Sequence, residues 1–132
     1  MNGLKFHPDI IKNCPPSDAS PGSGLIYRMV KSFPPASDDF DSDVERKTKN
    51  CDQTNCDCWG CSVWADSDGV ETAMNLFKYW RKRYIVSVSL KSSDGLTKNS
   101  PSNGQPGHYT FWKAVGVDLS NKCTIFRSPD EK

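Results

Sequence analysis

Two hydrophobic periods meet back to back near the middle of this 132-residue chain, and together they define its central unit. Val70, Ala73, Met74, Phe77 and Trp80 recur at three- and four-residue steps, the stripe of a helix expected over residues 67–82 with Ser67 as its N-cap. Arg81, Lys82 and Arg83 close it with the charge that a helix C-terminus favours. From Tyr84 to Leu90 the pattern alternates, with Tyr84, Val86, Val88 and Leu90 on one face and Ser87 and Ser89 on the other, a strand half-buried against that helix. An amphipathic helix and a one-sided strand bury each other, so a single small α+β domain is expected.

The remaining elements follow from shorter signals. Leu25–Val30 is a β-rich run closed by Phe33-Pro34-Pro35, and Cys61–Ala65 reads as a second strand. Ser37 or Asp38 caps a short helix that ends at Arg46 and Lys47. His108–Trp112 and Cys123–Phe126 are two late strands joined through a turn at 118–121. Residues 14–24, CPPSDASPGSG, read as a linker, which gives an N-terminal arm and linker over 1–23 and the α+β domain over 24–132. Residues 91–107 hold Leu96 as their only large apolar side chain and read as a long functional or disordered loop.

Charge argues against one class of partner. Seventeen Lys and Arg against sixteen Asp and Glu leave a formal +1, without the basic excess that binding to a phosphate backbone demands. No apolar run approaches the ~20 residues of a membrane span, and the opening MNGLKFHPDIIKNC lacks a signal peptide's basic-then-apolar order. The expectation is a soluble, cytoplasmic protein. The sequence also lacks a G-x-S-x-G elbow, a P-loop and H-E-x-x-H.

Four of six cysteines, Cys51, Cys56, Cys58 and Cys61, fall in the order C-x4-C-x-C-x2-C. In a reducing compartment this clustering disfavours a disulfide framework. Two readings remain: a zinc site of four thiolates, with Gly60 permitting a tight turn and Cys14, His7 or His108 available to complete the shell, or a loop of reduced thiols with Cys61 buried at a strand start.

Three polar residues stand out as site candidates. Arg28 offers a planar fork for a phosphate or pyrophosphate, or is an ion-paired edge residue. Ser62 orients a ribose or satisfies its neighbours, and His108, leaving the Gly/Pro loop, suits acid–base work or a structural strand edge. Tyr27 and Tyr109 offer rings for stacking on a planar ligand, although strand aromatics mostly serve the core.

The segments LIYRMV, GCSVWADS with the alanine-bearing helix behind it, and YIVSVSL resemble the core of small ADP-ribosyltransferase-like proteins. That group takes in bacterial toxins of the arginine-serine-glutamate type, RES-domain toxins and RNA 2'-phosphotransferases. The likeness spans residues 24–90 and implies a split, mostly antiparallel sheet with one main helix and NAD as ligand. It places Arg28 at the pyrophosphate or ribose and Ser62 on the nicotinamide side. The chain departs from the pattern in lacking a late-strand glutamate, since its glutamates are Glu45, Glu71 and Glu131. His108 then stands in as a polar ribose contact, or binding is kept without transfer. Three functions are carried forward: an NAD-binding transferase or NAD-consuming toxin, a non-enzymatic interaction module presenting the cysteine loop to a protein partner, and a small inhibitor or immunity-type protein.

Overall fold

The computed structural model describes residues 4–48, 51–101 and 105–129. Seven strands, β1 (Ser20–Pro21), β2 (Gly24–Val30), β3 (Cys61–Trp64), β4 (Tyr84–Leu90), β5 (Gly95–Asn99), β6 (His108–Lys113) and β7 (Thr124–Arg127), form one open sheet in the order β1-β5-β6-β3-β2-β4-β7. Every neighbouring pair is antiparallel, and the one α-helix among the described residues, α1 (Ser67–Leu76), packs on the sheet, giving a single small α+β domain.

Pairing along the sheet is uneven. β2 and β4 run together from Gly24 opposite Leu90 to Val30 opposite Tyr84, and β3 and β6 from Cys61 opposite Phe111 to Trp64 opposite His108. Between these halves β2 and β3 meet at one position only, Tyr27 opposite Trp64. The sheet therefore has a central seam where two strands touch and part.

Strand alternation sorts the core onto two faces. Ile26, Val30, Cys61, Val63, Val86, Val88 and Phe111 share one, under Phe40 and Leu119 from the connecting segments. On the other, α1 covers Trp64 and Ile85 through Val70, Ala73 and Met74, with Tyr27 and Met29 beside them. Farther along that face the N-terminal segment packs Phe6, Ile10 and Ile11 over Leu96 and Trp112. Residues 1–23, expected as an arm and linker, thus contribute to the core through their described part, and Ser20–Pro21 adds the edge strand to β5.

Several local expectations are corrected. The helix is capped by Asp66, whose Oδ1 accepts from the Gly69 amide at 2.6 Å, and stops at Leu76. Phe77 is extended and 43% exposed, and Lys78–Lys82 forms a 3-10 turn that carries the chain back to β4. Trp80 is only half-buried, packed against Phe77 and Tyr79. Trp80→Ala is therefore expected to cost about 1–2 kcal/mol in urea unfolding, below the ~3–5 kcal/mol of a fully buried tryptophan; a loss in the upper range would place its ring in the core.

Residues 37–47 form turns rather than a helix. Ser42 and Glu45 do exchange capping hydrogen bonds, but Lys47 then adopts φ 56° and turns the chain away. The polar stretch 91–107 contains β5, whose weak sequence signal is offset by pairing with both β1 and β6. Gly95 is required there, because a Cβ would lie 2.1 Å from the Trp112 carbonyl oxygen. The two late strands are not partners: β6 lies between β5 and β3, whereas β7 is the opposite edge, beside β4.

Candidate functional site

The cysteine cluster is organised by disulfides. Cys14 is bonded to Cys56 and Cys51 to Cys58, while Cys61 is buried in β3 and Cys123 is free and half-buried. A sulfur in a disulfide carries no thiolate charge for a metal, so three of the four expected zinc ligands, Cys51, Cys56 and Cys58, are withdrawn. Burial raises the fourth thiol, that of Cys61, above its ordinary range and keeps it protonated. Among the described residues no group of three or more His, Cys, Asp or Glu is arranged to hold a metal ion. The four-cysteine site read from the sequence is thus replaced by two crosslinks, because the partner of Cys56 lies in the proline-rich N-terminal segment. Gly60 is extended, and its missing side chain makes room for β6: a Cβ there would lie 2.6 Å from Thr110 Cγ2.

The crosslinked segment is pinned to the sheet at several points. Trp59 donates its ring N–H to the Gln53 carbonyl at 2.7 Å, and Trp112 donates to the Cys56 carbonyl at 3.0 Å. The Asp43 and Val44 amides donate to the Gly60 and Cys58 carbonyls. These bonds hold residues 43–48 against the seam, where Asp43, Arg46 and Thr48 form one wall of a cleft of about 420 Å³.

The opposite wall comes from the sheet. Ser62 and Thr110 face each other across β3 and β6, and His108, two residues before Thr110, shares their side. His108 Nε2 lies 2.8 Å from Ser62 Oγ, and His108 Nδ1 lies 2.9 Å from the Ser100 carbonyl oxygen. Ser100 Oγ reaches Thr110 Oγ1 at 2.8 Å. A chain of polar groups therefore runs from Ser100, just past β5, across β6 to Ser62 on β3, and opens into the cleft at Ser62 and His108.

Arg28 reaches the same place from the other face of the sheet. It shares the face of Ile26 and Val30, its guanidinium lies 5.7 Å from the Phe40 ring centre, and it is 7% exposed. Its Nε donates to the Asp39 carbonyl at 2.7 Å and its Nη1 to the Ser62 carbonyl at 2.6 Å. The side chain thus spans the seam where β2 and β3 part, filling the Ser62 carbonyl that a continuous ladder would have satisfied and tying it to the turn at Asp39. Arg28, Ser62 and His108 converge, although Arg28 does so by holding the Ser62 backbone.

The other candidates lie elsewhere. Tyr27 packs under α1 with its ring edge-on to Phe126 at 5.2 Å, and Tyr109 packs against the opposite core face; neither lines the cleft. Sequence reasoning missed Arg46, Arg83 and Gln105, which do line it. Arg83 was absorbed into the basic helix end, and a helix macrodipole leaves no trace of a second role.

Electrostatically the cleft favours anions. Arg28, Arg46 and Arg83 border it, with Asp43 as its sole carboxylate among the described residues. Asp43 forms an ion pair with Arg46, yet burial outweighs that attraction and raises its carboxyl above the ordinary aspartate range. A second depression of about 380 Å³ adjoins the first, and Arg28, Arg46 and Arg83 line both. Comparison with family models, curated proteins and solved structures finds no match for this chain.

Proposed function

We propose that the paired clefts bind a dinucleotide of the NAD type and that the protein is ADP-ribosyltransferase-like, transferring ADP-ribose or consuming NAD as a toxin or effector does. One observation carries this reading: three arginines stand at the junction of two depressions, where the pyrophosphate joining two nucleosides would lie. Each depression falls within the ~300–1,000 Å³ of small-molecule sites. Arg28 is already committed to two carbonyls, so Arg83, which has no hydrogen bond or ion pair to a carboxylate among the described residues, is the free fork. Ser62 and His108 then meet the sugar on the side of the first cleft. The parting of β2 from β3 supports the split sheet that the resemblance implies.

Among the described residues no glutamate lines the site: Glu45 is bound to Ser42 and Glu71 is paired with Arg127. Polar chemistry on this reading falls to Ser62 and His108. The disulfides favour maturation in an oxidising compartment over the cytoplasm expected from the sequence. Among the described residues no helix is long and apolar enough to cross a membrane.

Calorimetric titration tests the reading. NAD is expected to bind, with Arg83→Ala weakening it by about 1.5–3 kcal/mol, the scale of a hydrogen bond to a charged group, and leaving unfolding stability unchanged. Absence of binding at millimolar NAD, or equal affinity in the variant, rejects it. A second reading, a protein-interaction module, is favoured by the exposed Leu76, Phe77 and Tyr79 interleaved with Lys78, Arg81 and Lys82 beside the cleft.

A further inference from the structure

Ser62 and His108 have a geometry that goes beyond ligand binding. His108 Nδ1 faces two Ser100 oxygens, the backbone carbonyl at 2.9 Å and Oγ at 3.0 Å; a carbonyl only accepts, so the tautomer with the proton on Nδ1 satisfies it and leaves Ser100 Oγ to Thr110 Oγ1. Nε2 is left as an acceptor, 2.8 Å from Ser62 Oγ, and the serine hydroxyl must donate to it. A hydroxyl bonded to a base whose other nitrogen is held by a third group is the arrangement of an activated nucleophile. Ser62 is half-exposed on the cleft, its Oγ has no other hydrogen bond among the described residues, and the rigid pairing of β3 with β6 sets its position.

A second observation bears on the same spot. The Trp64 indole packs edge-on against the His108 ring at 5.4 Å, lines the same cleft, and its Nε1–H is buried without a hydrogen-bond partner. A donor left unmade at that depth is costly, and the ring that carries it stands against the histidine of the Ser62–His108 pair.

We infer that Ser62 is a nucleophile, with His108 as its general base, acting on esters that carry an anionic group. The anionic preference follows from Arg83, which lines the same cleft, whereas Arg46 is paired with Asp43. In the step, Ser62 Oγ bonds to the ester carbonyl carbon as its proton passes to His108 Nε2. The carbon–oxygen bond to the leaving group breaks and that oxygen takes the proton. Water, deprotonated by the same nitrogen, then releases the acid and restores Ser62.

This inference stands on the pair's geometry and does not need NAD to bind. A fluorophosphonate probe tests it, since Oγ would displace fluoride from phosphorus and leave a stable adduct. The folded wild-type protein is expected to gain one adduct, mapped to the peptide containing Ser62. Ser62→Ala should gain none, and His108→Gln should react about a hundredfold more slowly or worse, the lower part of the general-base range. Circular dichroism and melting of each variant establish that it is folded, and heat-denatured wild-type protein should not react. No adduct on folded wild-type protein, an adduct that survives Ser62→Ala, or an unchanged rate in His108→Gln overturns the inference. Titrating NAD into the same preparations separates the two readings: NAD binding without an adduct removes only the nucleophile, and an adduct without NAD binding removes only the dinucleotide.

Discussion

Replacing Cys14 and Cys56 together by serine is expected to lower the unfolding free energy by about 4 kcal/mol, the loop-closure value for a crosslink of this span. The two cysteines are 42 residues apart in sequence, so the bond removes much freedom from the unfolded chain. In the folded state it fastens the N-terminal segment over Trp59, Leu96 and Trp112. Cys51 and Cys58 are only seven apart, and the same relation gives about 2.5 kcal/mol for their removal. Loss of the second bond should act more strongly on the cleft, because it loosens the segment that carries Asp43, Arg46 and Thr48. Urea unfolding of both double variants checks the order of effects. Alkylation of denatured, unreduced protein should modify Cys61 and Cys123 alone. Modification of all six cysteines, or a loss under about 1 kcal/mol for the long crosslink, would show that the bonds do not form in solution.

The same crosslinks mark the limit of what the sequence discloses. Four cysteines in eleven residues look self-contained, yet one of them, Cys61, pairs with none of the rest and another reaches back to Cys14. Spacing carries no information about a partner brought close by a sheet. The alternation of residues 84–90 and the strands at 24–30 and 61–64 were legible because a buried face leaves a period in the sequence. β5 was not, since Gly95, Lys98 and Asn99 have little strand propensity and the segment is ordered by neighbours on both sides. The helix was legible through Val70, Ala73 and Met74, and its end was not, because Phe77 and Trp80 continue the period after the backbone has left the helix.

The site was legible in its unusual residue types and illegible in its charges. His108 stood out as one of two histidines and Ser62 as a strand serine marked by the resemblance, but their meeting at 2.8 Å comes from the pairing of β3 with β6. Arg46 and Arg83 come from a turn and an element end, each with an ordinary explanation, and only the folded chain brings them to one cleft.

Arg28 shows how a residue read as a ligand contact is first a part of the fold, and Arg28→Ala should separate the two roles. Its guanidinium is almost fully buried and donates to the carbonyls of Asp39 and Ser62. Hydrogen bonds to a charged donor contribute about 1.5–3 kcal/mol each, and truncation leaves both carbonyl oxygens unpaired beside a cavity. The expected loss is about 3–5 kcal/mol in urea unfolding, so the variant will not leave the fold intact. Arg28→Lys keeps the charge but has a point donor that cannot span two acceptors set by a fork, and should recover about half of the loss. Arg28→Met keeps much of the packing without any donor; it should resemble alanine if the carbonyls dominate and lie near wild type if the filled volume does. NAD affinity should fall in Arg28→Ala together with stability, whereas Arg83→Ala lowers affinity alone. An Arg28→Ala protein within about 1 kcal/mol of wild type would mean that water satisfies both carbonyls and that the guanidinium is free for a ligand after all.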